Sequence, residues 1–182
     1  MKVSREQMAE NRRRILKVAS ALFREKGIEA VSVAEVMKAA GLTHGGFYGH
    51  FRSKDDLVAQ ALANALAADS FENGSFSDFV RAYLAPRHRD NPGGGCPTAG
   101  LAAAMRHQTP AAKATMTEGL RTQIARIEHA LPALPAADKR TAAIGSWAAM
   151  VGAVILARAV DDPQLSDEVL ERTRAWIDAA VR

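Results

Sequence analysis

One cysteine in 182 residues excludes a disulfide framework within the chain and a four-cysteine zinc site. Aromatic residues are scarce at 5% while alanine is abundant, and that balance reads as all-α. The apolar run 142–157 is interrupted only by Ser146 and falls short of the roughly 20 residues that span a bilayer. The opening residues MKVSREQMAENRRR lack the apolar core of a signal peptide. The expectation is a soluble, cytoplasmic protein with no membrane segment. The histidines (44, 50, 88, 107 and 129) are scattered, with no His-x-x-x-His pair and no carboxylate pair framing a glycine-rich phosphate loop. The GGGC stretch lacks the Lys-Ser/Thr of such a loop. No enzyme, cofactor or metal site is expected.

What is present is an ordinary globular balance, 48% hydrophobic and 24% charged, enough for one domain or two small ones sharing a core. The net charge of +4 is unevenly placed. Residues 1–54 carry eleven Lys/Arg and five Glu, and the remaining 128 carry thirteen basic and fifteen acidic groups. A basic amino-terminal part facing a polyanion and a near-neutral remainder with another task fit that asymmetry, although a solvated basic face fits the charge equally well.

Three capping boxes divide the first third. Ser4-x-x-Gln7 opens a helix whose Met8, Ile15, Ala19, Leu22 and Phe23 recur at helical spacing until Gly27. Ser32-x-x-Glu35 opens a second, with Val33, Val36, Met37 and Ala40 as its stripe. Gly41 breaks it, Thr43 is the next N-cap, and a short helix spans 44–50 before the Ser53-x-x-Asp56 box. Two short helices about a glycine-containing turn describe a helix-turn-helix, whose second helix can enter the major groove. That second helix carries Gly45, Gly46 and Gly49, each costing up to roughly 1 kcal/mol against alanine. They lower its surface for something flat and charged. Phe47 and Phe51 point inward, leaving Tyr48, His50 and Lys54 on or beside the exposed side.

On these residues the chain resembles the tetracycline-repressor (TetR, AcrR-like) family of bacterial transcriptional regulators. The resemblance runs from Arg12-Arg13-Arg14-Ile15-Leu16 through Ala19-x-x-Leu22-Phe23-x-x-x-Gly27 and VSVAEVMKAAGLTHGGFYGHFRSKDDL at 31–57. It implies a three-helix helix-turn-helix DNA-binding domain at 1–55 and a helical bundle with ligand-binding and dimerisation helices at 56–182. It implies phosphate contacts from Ser32, Thr43, Tyr48, His50 and Lys54, and base contacts from His44, Gly45 and Gly46. Gly45, Gly46 and Gly49 lack side chains, and Gly49 stands where the family often has a larger residue, so direct base readout rests mostly on His44. The implied partner is a double-stranded DNA operator, bound by a repressor that a small effector releases.

The remainder has the matching shape. A helix begins at Lys54 and reaches about Ser70, Asn73-Gly74-Ser75 breaks the chain, and Phe76, Phe79, Val80, Tyr83 and Leu84 form the next stripe. The stretch 86–100, rich in proline and glycine, is a loop. Helices follow at about 101–105, 111–131, 136–160 and 164–181, the third preceded by Pro132 and Pro135. The last two are helices 8 and 9 in chain order. The first of this pair, apolar on most of its circumference, has to be buried on most sides. That points to a homodimer through an intersubunit four-helix bundle, and so to a palindromic operator. The resemblance places an effector pocket among the middle helices, with Phe79, Tyr83, Met105, Met116, Leu120, Trp147 and Met150 as apolar lining and His107 as a polar handle for a hydrophobic or aromatic molecule. For any one of them, plain core is the commoner role. Cys96, near His88, Arg87 and Arg89 in sequence, offers the alternative of a thiol sensor for oxidants or electrophiles. A DNA-binding protein without any effector is the other alternative.

Overall fold

The computed structural model describes residues 4–68, 75–131 and 136–181. All regular structure among them is helical: α1 (Arg5–Lys26), α2 (Val33–Ala39), a 3-10 turn (His44–Gly49), α3 (Lys54–Ala68), α4 (Phe76–Tyr83), α5 (Pro86–Arg89), α6 (Pro97–Leu101), a second 3-10 segment (Ala102–His107), α7 (Pro110–Ala130), α8 (Ala136–Ala159) and α9 (Pro163–Ala180). The end of the 54–70 helix at Ser70, the Asn73-Gly74 break and the Pro132 and Pro135 punctuation lie outside the described residues.

Side-chain oxygens start the helices, as the serine spacing predicts. Ser4, Ser32 and Ser53 accept from the backbone N–H three residues on, each at 3.1 Å. The expected return bonds are spent elsewhere. Gln7 donates to Asn11 at 3.0 Å, and Glu35 pairs with Lys26 at 2.8 Å, tying α2 to the end of α1. The Asp56 carboxylate accepts from the Arg52 N–H at 2.9 Å. A reciprocal box does form at Ser75 and Asp78.

Two apolar clusters make the core. The first joins α1, α2, the 3-10 turn and α3 through Ile15, Phe23, Met37, Phe47, Phe51 and Leu62, and it continues into Leu101, Met105, Ala112 and Met116. The amino-terminal helices therefore share a core with the middle of the chain. The second holds Phe76, Tyr83, Cys96, Trp147, Met150, Leu170 and Ile177. α8 packs on both α7 and α9. Its segment 138–159 is long and apolar enough to cross a membrane, so the helix exceeds the run legible as uninterrupted apolar residues. In the fold, its Ala143, Trp147, Met150 and Val154 are buried inside the bundle.

Candidate nucleic-acid interface and cavity

Gly41 makes the turn after α2. Its φ of 69° lies in the left-handed region that favours glycine, and the chain reverses with Leu42 N–H donating to Met37 O at 2.9 Å. Arg14 reaches across from α1 to the Ala40 carbonyl at 3.3 Å. The segment that follows is a 3-10 helix rather than the α-helix expected. It bonds from residue to residue three apart, as in Gly46 N–H to Thr43 O at 3.1 Å and His50 N–H to Phe47 O at 2.9 Å. Six residues with three glycines give little drive toward the wider α turn. Thr43 stands at its N-cap position, but its side chain makes no capping bond, so the predicted cap is positional only.

Phe47 and Phe51 are buried and stack at 5.6 Å, holding the turn from beneath. Tyr48, between them in sequence, is 73% exposed, and its ring meets Phe47 edge-on at 5.3 Å. Ser32, Thr43, His44, Gly45, Gly46 and Gly49 are exposed as well, and His50 and Lys54 are half-buried. A Cβ on Gly45 would meet nothing within 4 Å, and one on Gly46 or Gly49 would make only ordinary contacts. None of the three has a positive φ. The fold itself therefore gives no steric reason for glycine at these positions.

Arg12 is the residue that sequence reasoning missed here. Its guanidinium donates to the His50 carbonyl and to Gln60 Oε1 on α3, and lies 4.7 Å from the Phe51 ring centre. It thus ties α1 to the end of the 3-10 turn and to α3. The signal was present: Arg12 occupies the stripe of Ile15 and Ala19 at helical spacing. Burial, with the Arg12 charge nearby, lowers the His50 pKa from its ordinary value.

A separate cavity of about 440 Å³ is lined by Phe79, Ala82, Tyr83, Arg87, His88, Asn91, Gly94, Gly95 and Cys96. Of the residues expected at a ligand pocket, Phe79, Tyr83 and Cys96 are in its wall. Trp147 lies behind them, 6.3 Å from Phe79 and 5.3 Å from Tyr83 between ring centres. Met150 is buried in the same cluster. The others are elsewhere. Met105, on the second 3-10 segment, and Met116, on α7, belong to the first core cluster; α7 turns the Met116 part of its surface toward α3, where Gly119 lies against Leu66. Leu120 and His107 are exposed outside the cavity wall, the latter accepting from its neighbour Arg106 at 2.8 Å.

The polar side of the cavity, Arg87, His88 and Asn91, comes from the stretch expected to be an irregular loop. Arg158 of α8 braces it, donating to the carbonyls of Arg89 and His88 at 2.9 and 2.8 Å. Its pKa is lowered by burial, against the opposing pull of Tyr83, Cys96 and Asp90. Cys96 is buried. The indole N–H of Trp147 is buried with no hydrogen-bond partner among the described residues.

Residues 15–61 match the family described as bacterial regulatory proteins, tetR family. Over 57 residues the chain is 40% identical to the HTH-type transcriptional regulator AcrR of Shigella flexneri, a match covering 31% of this chain and 26% of that protein. Over 76 residues it is 38% identical to the HTH-type transcriptional repressor KstR2 of Rhodococcus jostii, covering 42% and 36%. The chain thus spans about a quarter to a third of the length of the curated relatives it matches. Solved structures resemble it end to end. The reduced form of E. coli NemR superposes with a TM-score of 0.75 at 23% identity, covering 95% of this chain and 97% of that one. A TetR transcriptional regulator from Legionella pneumophila does so at 0.75 and 20% identity, covering 100% of both. Residues 15–61 are therefore a tetR-family domain, on a chain whose whole fold is that of TetR/AcrR-like regulators.

Proposed function

We propose that this chain is a DNA-binding transcriptional regulator, a dimeric repressor acting in the cytoplasm on a palindromic operator and released by a small effector. The observation that carries the reading is the exposed 3-10 turn. A tyrosine and three sterically unrequired glycines stand over a buried Phe47–Phe51 anchor, on a domain related to named transcriptional regulators. In this reading Ser32, Thr43, Tyr48, His50 and Lys54 hold backbone phosphates, and His44 reaches a base over the surface that Gly45 and Gly46 leave low. The division at 55/56 is one of tasks, since the amino-terminal core extends into α6 and α7.

Dimerisation through α8 and α9 is supported by what those helices leave uncovered. Ile144, Ile155, Leu156, Leu165 and Trp176 are large, apolar and exposed, and a Cβ on Gly145 or Gly152 would meet nothing within 4 Å. A second copy would cover this face and set two reading turns on adjacent half-sites. The effector we infer has an apolar or aromatic body and a hydrogen-bond acceptor. Phe79 and Tyr83 meet the first, while Arg87, Asn91 and the indole N–H behind the aromatic pair meet the second. A second reading, thiol sensing, is favoured by the position of Cys96 in that same wall near Arg158.

The test is selection of random DNA by the purified protein, followed by gel shift of the recovered sequence against compounds and oxidants. A palindrome released by compounds in both wild type and Cys96→Ala supports the effector reading. Release by oxidants alone, lost in Cys96→Ala, supports the thiol reading. Failure to enrich any sequence overturns specific regulation.

A further inference from the structure

The 86–100 stretch is irregular by composition yet tightly bonded. The Tyr83 carbonyl accepts from His88 Nδ1 at 2.7 Å, and His88 Nε2 accepts from the Cys96 N–H at 2.9 Å. One neutral imidazole thus pins both ends of the loop. Gly95 passes beside that ring because it has no Cβ, which would stand 2.9 Å from Nε2. The Gly93 carbonyl accepts from Nε of Arg24 on α1 at 3.0 Å and from its Nη2 as well. Nη1 of the same arginine donates to the buried Ser20 at 2.8 Å.

Gly94 and Gly95 consequently form a wall between two spaces. One is the cavity with Tyr83, His88 and Cys96. The other is a cleft of about 420 Å³ lined by Arg13, Lys17 and Arg24 of α1 and Asn64 of α3. Despite its cations the cleft is not built as an anion site, because Arg13 pairs with Glu10 at 2.6 Å and Arg24 is engaged within the protein.

We propose that His88 and Arg24 are a relay through which α1 senses occupancy of the cavity, with Arg24 a positioning residue that touches no effector. The proposal rests on the effector reading of that cavity. A molecule pressing on His88 or on the Gly94–Gly95 wall displaces the adjoining Gly93 peptide. Two donors of one planar fork grip its oxygen, so the displacement is passed to α1 in a defined direction. α1 is one continuous helix, and Arg12, about 18 Å along it from Arg24, holds the His50 carbonyl at the end of the reading turn. The cavity and the reading surface are thereby joined by hydrogen bonds and one rigid element.

The test uses the full chain and the variants His88→Ala, Arg24→Gln and both together. Amide hydrogen exchange over residues 17–26 needs no DNA. Each single change is expected to raise exchange there by about fivefold or more, the lower range of coupling between linked sites, and the double no further than the larger single. An unchanged α1 in His88→Ala, or effects that multiply in the double, overturns the relay. Should Arg24→Gln not fold, Gly95→Ala displaces His88 with α1 intact and is expected to raise exchange over the same residues; no rise overturns the relay equally. With 1-anilinonaphthalene-8-sulfonate as probe, the wild type is expected to lose operator affinity and Arg24→Gln to bind the probe without that loss. An equal loss in Arg24→Gln overturns the relay. Coupled exchange without any probe effect on DNA leaves the mechanical link between the loop and α1 standing and overturns the effector reading, and with it the use of that link to sense occupancy.

Discussion

Tyr48 and Arg12 show how little a residue's type says about its role until its neighbours are known. Tyr48 is exposed, with its ring edge-on to the buried Phe47, so Tyr48→Phe is expected to change stability by less than about 0.5 kcal/mol. Its effect is expected in gel shifts, as weaker binding to all DNA sequences alike. Lys54→Ala should do the same and reduce the slope of log affinity against log salt by about 0.9 if it neutralises one phosphate. Arg12 is the opposite case. Its donors hold His50 and Gln60, and Arg12→Ala is expected to cost about 1.5–3 kcal/mol in thermal or denaturant unfolding, the range for bonds to charged groups. Arg13→Ala next to it, exposed and paired with the exposed Glu10, should cost almost nothing. His50 adds a pH signature. Its folded pKa lies below the ordinary 6.5, so between those two values the unfolded chain binds more protons. Stability present above pH 6.5 is lost as pH falls through the folded value, and His50→Gln should flatten that part of a melting-temperature profile.

At the scale of elements, the glycines separate folding from function. Gly41 has a left-handed φ, and Gly41→Ala is expected to destabilise the turn by about 1–2 kcal/mol. Gly45 has neither that φ nor a neighbour to clash with. Gly45→Ala is expected to leave the melting temperature unchanged or raised while weakening operator binding, measured side by side on one preparation. Equal affinity in Gly45→Ala would show that the low surface of the turn is not used. The glycines are visible in the sequence, but which one the backbone needs is not. The starts of α1, α2 and α3 were legible to the residue, since a serine followed three positions on by an acid or amide satisfies a local need for a donor's partner, whereas α5 and α6, which begin at prolines, were not. Where Gln7 and Glu35 then placed their own side chains depended on Asn11 and Lys26, and the Glu35 partner lies on another helix.

For the whole molecule, α8 is the element that composition leaves ambiguous. Its length and hydropathy suit a bilayer, yet its buried side faces α7 and α9 and its uncovered side carries Ile144, Ile155 and Leu156. If a second copy covers that side, Leu156→Glu or Trp176→Glu should yield monomers by light scattering and lose operator affinity, because two half-sites are no longer bound together. A variant that stays dimeric with full affinity would move the interface elsewhere.

The all-helical class, the helix-turn-helix and its exposed Tyr48 were determined by the sequence alone, because capping, periodicity and glycine breaks act over a few neighbouring residues. Tertiary structure decided the rest. Met105 and Met116 have the residue type expected of pocket lining, but Met116, on α7 packed against α3, and Met105, on the 3-10 segment before it, both join the first core. The stretch 86–100 is a loop by composition, yet it holds α5 and most of α6, Arg24 and Arg158 from distant parts of the chain grip its carbonyls, and its own Arg89 reaches Asp167. Contacts between residues 69 to 78 positions apart leave no periodic trace, and only the folded chain brings them together.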